Sequence, residues 1–93
     1  MIRRFQCKRT ARLFERARVK EFDHIAAVAL RRLVALDSAQ SLSDLLIPPS
    51  NRLEALSGNR KGQYSIRIND QYRVCFIWRE GNAEAVEITK HYR

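Results

Sequence analysis

The chain is poor in the residue types that mark a metal centre, a disulfide framework or a membrane span. Its 93 residues include two cysteines, three glycines and two prolines, with no Cys or His pair at metal-ligand spacing. We therefore expect Cys7 and Cys75 to be free thiols in a reducing cytosol, with no metal and no cofactor. No apolar run approaches the length of a membrane helix, and no signal-peptide core follows the first residues. The sequence predicts one small domain, residues 1–93, in the cytoplasm.

Acidic residues are also scarce. Ten Asp and Glu stand against eighteen Lys and Arg, which gives a formal net charge of +8, and fourteen of the basic residues are arginines. Arginine binds phosphate through two parallel hydrogen bonds and stacks on bases, so a polyanion is the indicated partner and nucleic acid the first candidate. Solubility alone is the competing explanation of the same charge.

The last third of the chain alternates strictly between apolar and polar residues, which predicts three antiparallel strands. The apolar residues at even positions form one face: Tyr64, Ile66, Ile68, Tyr72, Val74, Phe76, Trp78, Val86 and Ile88. Paired residues share a face of the sheet, so these side chains merge only if the numbers of paired residues sum to an even number. Three-residue turns at 69–71 and 80–82 satisfy this rule. They put Ile66 opposite Val74 and Phe76 opposite Val86.

The same register places a pair of arginines on the other face of the sheet. Arg67 falls opposite Arg73, Thr89 lies beside Arg73, and His91 falls opposite Gln71. Two arginines that face each other repel, and an anion held between them is one explanation of the pair. The other is a solvated face on which the two side chains splay apart.

A second helix is predicted from its N-cap, Asp23, to about Leu36. Arg31 and Arg32 are expected to face solvent. The apolar stripe of this helix comprises Ile25, Val28, Ala29, Leu33 and Leu36.

The rest of the chain adds shorter predicted elements. We expect an edge strand at residues 2–7, a first helix at 8–18, a helical turn at 41–45 and a short strand at 51–56. Residues 57–62 form a basic loop with a glycine near each end, without the spacing of a Walker phosphate loop. The fold class is therefore α+β, with two N-terminal helices on one face of an antiparallel sheet and the arginine face left open.

Residues 51–88 contain the string NRLEALSGNRKGQYSIRINDQYRVCFIW followed by EAVEI. This string resembles the HigB group of the RelE/ParE superfamily, the toxin halves of bacterial type II toxin–antitoxin pairs. The N-terminal helices resemble the family more loosely. The resemblance implies a RelE-like fold, with two helices packed on one face of a curved antiparallel sheet.

The resemblance also implies an activity and two partners. The activity is that of an mRNA interferase, a ribosome-dependent endonuclease that cleaves mRNA in the A site of the 70S ribosome in the bacterial cytoplasm. The protein partner would be a HigA-like helix-turn-helix antitoxin. The implied reaction is metal-independent attack of a ribose 2′-OH on the adjacent phosphate. That reaction needs cations on the phosphate oxygens and groups that move two protons.

Individual positions match the family's functional residues to different degrees. Arg73 matches the arginine that binds the scissile phosphate. Many members end in Asp-Tyr-His, but this chain reads Lys90-His91-Tyr92, so His91 is the first candidate for proton transfer and Tyr92 the second. Some relatives also carry a His or Lys in the connector, where this chain has Glu54 and Ser57, so the resemblance implies no help from that side. The positions implied to hold the RNA or ribosomal RNA backbone are Arg52, Arg60, Lys61, Arg67, Lys90 and Arg93.

Two other functions remain open at this point. The ParE branch shares the fold and poisons gyrase without cleaving RNA, and a non-catalytic RNA- or ribosome-binding module would carry the same basic surface. The basic face and the terminal His-Tyr pair favour RNA chemistry, although a fold alone does not decide between functions.

Overall fold

The computed structural model of the protein describes residues 1–90, and it has the predicted α+β architecture. The four strands are all antiparallel to their neighbours, in the order β1-β2-β3-β4. The helices and strands are α1 (Lys8–Phe14), α2 (Ala26–Ser38), β1 (Glu54–Ala55), β2 (Tyr64–Arg67), β3 (Tyr72–Arg79) and β4 (Asn82–Lys90). Short 3-10 helices cover Lys20–Ile25, Leu42–Leu46, Pro49–Asn51 and Gly58–Arg60.

The β2–β3 hairpin has the predicted register and the predicted three-residue turn. Ile66 lies opposite Val74. The side-chain oxygen of Asn69 accepts hydrogen bonds from the backbone N–H groups of Gln71 at 2.8 Å and Tyr72 at 2.7 Å. An asparagine that bonds to the backbone two residues further on defines a tight turn, so local chemistry and alternation specify the same hairpin.

The β3–β4 hairpin has a shorter turn than predicted. Arg79 pairs with Asn82, which leaves only Glu80 and Gly81 between the strands. Both residues have positive φ, 52° and 77°. This is the backbone of the two-residue turn whose twist matches that of a hairpin. The prediction of a three-residue turn at 80–82 was wrong. The turn has two residues, and the additional residue that the predicted register requires lies in a bulge further along the hairpin.

This β-bulge lies between Cys75 and Ile77. Ala85, with φ 51°, is the additional residue on β4. The predicted pair of Phe76 with Val86 falls inside the bulge and does not form as a regular pair, although both side chains are fully buried. Beyond the bulge the strands return to the predicted register.

One apolar core joins the helices to the predicted face of the sheet, which carries even-numbered residues except at Ala83, before the bulge in β4. Burial of each large apolar side chain contributes about 1.5–3 kcal/mol, so this interface fixes which face of every strand points inward. The completely buried members are Ala29, Leu33 and Leu36 of α2 with Ile66, Val74, Phe76, Ala83 and Val86 of the sheet.

The first helix ends at Phe14, well before the predicted end at residue 18. Arg16 has a left-handed φ of 68°. Its N–H bonds to the carbonyl of Leu13 at 2.9 Å, and the N–H of Ala17 reaches back to the carbonyl of Arg12 at 3.0 Å. This pair of bonds is the Schellman motif that terminates helices, here with arginine in the position that usually holds glycine.

The second helix begins at Ala26, after the 3-10 helix Lys20–Ile25. The prediction of Asp23 as its N-cap was wrong, because the Asp23 carboxylate instead accepts a hydrogen bond from Arg18 Nη2 at 2.7 Å. That hydrogen bond lowers the pKa of Asp23. The helix runs on to Ser38, two residues past the predicted end, and the predicted strand at 51–56 is reduced to the two residues of β1.

The N-terminal segment lies along the outer edge of β4, where an edge strand was predicted. Ile2 and Phe5 each form a single parallel bridge with β4, so the segment is less regular than a strand. The buried hydroxyl of Thr10 in α1 accepts a hydrogen bond from the backbone N–H of Ile88 at 3.0 Å. These contacts satisfy the edge of β4 that would otherwise be open to other chains.

The connector contains the predicted helical turn, Leu42–Leu46. The Asp44 carboxylate accepts hydrogen bonds from the backbone N–H groups of Gln40 at 2.9 Å and Ser41 at 3.2 Å. These bonds lower the pKa of Asp44. No helix within residues 1–90 is long and apolar enough to cross a membrane.

Glu80 in the β3–β4 turn gives a test of this backbone. Its φ of 52° suits Asn better than Glu. We expect Glu80→Asn to raise the free energy of unfolding by roughly 0.5–1 kcal/mol, measured by urea denaturation. The control is Gln71→Asn in the β2–β3 turn, where φ is not positive and the change should stay within about 0.5 kcal/mol. Destabilisation by Glu80→Asn would contradict the two-residue turn.

Candidate functional site

The face of the sheet away from the helices carries the two arginines in the predicted arrangement. Arg67 lies directly opposite Arg73, and Thr89 lies beside Arg73 on β4. The Arg67 guanidinium forms an ion pair with the exposed carboxylate of Asp70 in the β2–β3 turn. Asp70 thereby offsets the charge of one member of the repelling pair.

Arg73 has no such partner among residues 1–90. Its Nε atom is buried and has no hydrogen-bond acceptor within the described part of the chain. A buried N–H group without an acceptor costs free energy, and native structures rarely leave one unpaired. Arg73 therefore carries an N–H group that no described residue satisfies.

Two clefts meet at Arg73, and Glu54 also lines both of them. The cleft toward the β2–β3 turn adds Arg52 and Arg67 to its walls. The cleft toward the β1–β2 loop adds Arg60. The structure thus gathers four of the predicted arginines around a surface that also carries a carboxylate.

The prediction that this face stays open was wrong, because the loop at residues 57–62 folds over it. Arg60 Nη1 in this loop donates hydrogen bonds to Glu87 Oε1 on β4 at 2.9 Å and to Gln63 Oε1 at 3.0 Å. Cys75 lies on β3, between β2 and β4. It is fully buried, although it is outside the apolar core cluster. The loop therefore covers the central part of the sheet and leaves clefts around Arg73.

The other predicted contact residues lie in different places. Arg52 is exposed just before β1, with φ 45°, and lines the first cleft. Lys61 is exposed in the loop, outside the two clefts. Lys90 pairs with Tyr72, and its Nζ lies 5.8 Å from the centre of the Tyr72 ring, on the side of the sheet away from Arg73. The predicted residues His91, Tyr92 and Arg93 lie outside the described residues.

Cationic surface continues from the cleft around the end of the sheet. Arg32 Nε of α2 donates a hydrogen bond to the backbone carbonyl of Arg67 at 2.9 Å. Burial, together with the nearby charges of Arg31 and Arg67, lowers the pKa of Arg32. Arg32 is therefore half-buried rather than facing solvent as predicted, and it extends the arginine surface onto the helical side.

Sequence reasoning missed the position of Glu54 on the arginine face. The residue pairs with Ser65, so it shares a face with Arg67 and Arg73 despite its even number. The parity rule could not reveal this, because β1 has only two residues and no alternation of its own. The Arg60–Glu87 contact was missed for a different reason, since it joins residues far apart in the chain and leaves no local pattern.

Within residues 1–90 no group of three or more His, Cys, Asp or Glu side chains could hold a metal ion. The charged side chains that line the two clefts are arginines and carboxylates. A family model described as the RelE-like toxin of the type II toxin–antitoxin system HigB matches residues 3–92. The chain belongs to the HigB-like toxin family.

Curated proteins with related sequences agree with this membership. Toxin HigB-1 of Vibrio cholerae serotype O1 is 52% identical over 61 residues, which cover 66% of this chain and 64% of that protein. An uncharacterized protein of Haemophilus influenzae is 39% identical over 57 residues, covering 61% of this chain and 54% of that protein. In both cases the chain spans less than two thirds of the relative's own length. The family assignment thus rests on the model match and agrees with the resemblance in residues 51–88.

Proposed function

We propose that this HigB-like protein is a metal-independent endoribonuclease, with residues 1–93 forming a single toxin domain. It would cleave mRNA held in the A site of the bacterial 70S ribosome and so inhibit translation in the cytoplasm. The observation that carries the proposal is the position of Arg73 in the walls of two arginine-lined clefts beside Glu54, with no acceptor for its Nε among residues 1–90. An RNA phosphate in these clefts would contact the guanidinium of Arg73.

The reaction follows from what arginine does to a phosphate. In the proposed step, a ribose 2′-OH attacks the adjacent phosphorus and the bond to the 5′ oxygen breaks, leaving a cyclic phosphate and a 5′-hydroxyl. Arg73 binds the scissile phosphate and stabilises the negative charge that grows on its oxygens. Guanidinium groups supply this stabilisation without a metal ion.

Two protons must also move. The 2′ proton needs an acceptor, and three carboxylates lie on or beside this face of the sheet. Glu87 is bound to Arg60 and Asp70 to Arg67, whereas Glu54 forms no ion pair within residues 1–90 and lines both clefts. We assign proton acceptance to Glu54, and donation to the leaving oxygen to His91, with Tyr92 as the second candidate.

The remaining basic residues are proposed to hold the RNA backbone. Arg52 and Arg67 would contact phosphates next to the scissile one, and such contacts fix position without reading sequence. Lys61, Lys90 and Arg93 would contact mRNA or ribosomal RNA outside the clefts. Arg60 was expected to do the same, but its ion pair with Glu87 makes it less available for that role.

The ribosome would supply the orientation that this sparse site lacks. Alignment of the attacking and leaving groups can lower a barrier by roughly 7–11 kcal/mol. A single general base or acid contributes about 10²–10⁴-fold, a smaller effect. Among residues 1–90, Glu54 is the carboxylate of this site without an ion pair. With Glu54 and a terminal His-Tyr pair for proton transfer, the site therefore depends on a substrate whose reacting groups are already aligned.

The proposed protein partner is a HigA-like helix-turn-helix antitoxin. The chain has a formal charge of +8. An acidic antitoxin that covers part of this basic surface would neutralise the toxin and gain affinity from charge complementarity.

Arg73 gives the most direct test. Arg73→Ala should abolish growth arrest and lower cleavage of ribosome-bound mRNA by about 10²-fold or more, with the free energy of unfolding little changed. Arg73→Lys should recover little, because an ammonium group cannot bind two phosphate oxygens in parallel. Arg79→Ala is the matched control, since Arg79 is an exposed arginine at the far end of β3. Full activity or unfolding of Arg73→Ala would contradict the assignment.

Glu54 is tested by removing its charge. Glu54→Gln should slow cleavage by about 10²–10⁴-fold, because the amide cannot accept the 2′ proton. Glu80→Gln, which removes an exposed carboxylate at the opposite end of the sheet, should cleave as the parent does. An unchanged rate in Glu54→Gln would transfer proton acceptance to His91.

The site of action is tested by comparing substrates. Purified protein should produce codon-phased cuts, detected by primer extension, when mRNA is loaded on ribosomes, and little cleavage of the same mRNA alone. His91→Ala should lower the rate on ribosomes. Equal cleavage of naked and ribosome-bound mRNA would refute the ribosome dependence. Trapped gyrase–DNA complexes without mRNA cleavage would instead support the ParE-like alternative.

A further inference from the structure

We infer that Glu87 is a positioning residue, whose ion pair with Arg60 fastens the loop at residues 57–62 across the sheet as one wall of the active cleft. The inference rests on the proposed function for its effect on catalysis, but the fastened loop can be measured without any activity. The two side chains meet at 2.9 Å and are mostly buried, with 30% and 22% of their surfaces exposed.

The sheet order shows how far this contact reaches. One row of paired residues runs across all four strands and consists of Glu54, Ser65, Cys75 and Glu87. Arg60 belongs to the connection between β1 and β2, whereas its partner Glu87 is on β4. A link between these two places passes over β2 and β3. The loop is therefore a strap across the sheet rather than a turn that projects into solvent.

Cys75 lies beneath this strap. It is 0% exposed but is outside the core cluster formed with the helices. Its Sγ atom lies 3.4 Å from Oγ1 of Thr89, on the face that carries the clefts. Because the helices cover only the opposite face, the strap and its neighbours are what exclude solvent from this thiol.

The strap is held to the sheet at few points. Gly58 and Gly62, near its two ends, have φ of 62° and 93°, and a side chain at either position would have open space around it. Backbone hydrogen bonds within the strap and at its base are local, including Leu56 N–H to the carbonyl of Gln63 at 2.9 Å. Among residues 1–90, the side-chain hydrogen bonds that anchor it are those of Arg60.

This arrangement gives Glu87 a defined effect on the proposed reaction. The strap and Arg73 line the same cleft, so the position of the strap sets the shape of the wall that faces the scissile phosphate. Glu87 is engaged by Arg60 and acts through it. The contact does not add a phosphate ligand but holds the cleft at one width.

The first experiment measures the strap through the reactivity of Cys75. In a Cys7→Ser background, labelling by a disulfide reagent at native pH should be slow. Glu87→Gln and Arg60→Gln should each speed it by about tenfold or more, as expected when a contact that closes a local region is lost. Arg79→Gln is the matched control, because it removes another Arg–Glu pair of the same hairpin, and its labelling rate should match the background.

The reversed pair completes this test. Arg60→Glu combined with Glu87→Arg should bring labelling back toward the background rate, because the opposite charges face each other again. The urea midpoint of every variant separates local opening from global unfolding. Unchanged labelling in both single variants, or no recovery in the reversed pair, would overturn the strap.

The second experiment separates positioning from direct contact with RNA. A strap predicts that Arg60→Gln and Glu87→Gln both lower kcat, leave KM for mRNA-loaded ribosomes nearly unchanged, and do not add in the double variant. A direct phosphate contact by Arg60 predicts opposite effects, since loss of the Glu87 charge would then strengthen RNA binding. Opposite effects would overturn the positioning role. If labelling behaves as expected but the parent does not cleave RNA, the strap stands and the proposed nuclease function fails.

Discussion

The register between β2 and β3 is the constraint on which the rest of the structure depends. Ile66 opposite Val74 puts the even-numbered side chains into the core, where both are fully buried. Arg67 and Arg73 are then forced together on the other face. A slip of one residue would turn one of the two strands over, burying its arginine and exposing its apolar residues, at a cost no surface contact could offset. Core packing thus holds Arg67 and Arg73 side by side, although their charges repel and local interactions would not favour this arrangement.

The remainder of the candidate site depends on departures from regular structure. The β-bulge next to Cys75 returns β4 to the register in which Glu87 and Thr89 share a face with Arg73. The two-residue strand β1 then brings Glu54 to the same face. These irregular elements place the polar side chains of Glu54, Glu87 and Thr89 on the same face as the arginine pair.

Alternation predicted the β2–β3 hairpin, the core face and the position of Arg73. Only one register of the two strands buries all of their alternating apolar side chains on the same face. The spacing of apolar residues could not predict the end of α1, because Arg16 adopts a left-handed backbone conformation that is unusual for arginine. The N-cap prediction for Asp23 was wrong because the same carboxylate can cap a helix or pair with Arg18, and here it pairs with Arg18. Glu54 and the strap were missed because their contacts are set by tertiary structure rather than by neighbours in sequence.

The contacts of β4 have a consequence for folding. The N-terminal segment and α1 bond to the edge of β4 through Ile2, Phe5 and Thr10, and Thr10 lies 78 residues from its partner Ile88. Contacts between residues so far apart in sequence form late, because the entropy of closing the chain is lost before they stabilise the fold. The outer edge of β4 therefore stays open to other chains until the N-terminal segment has docked on it.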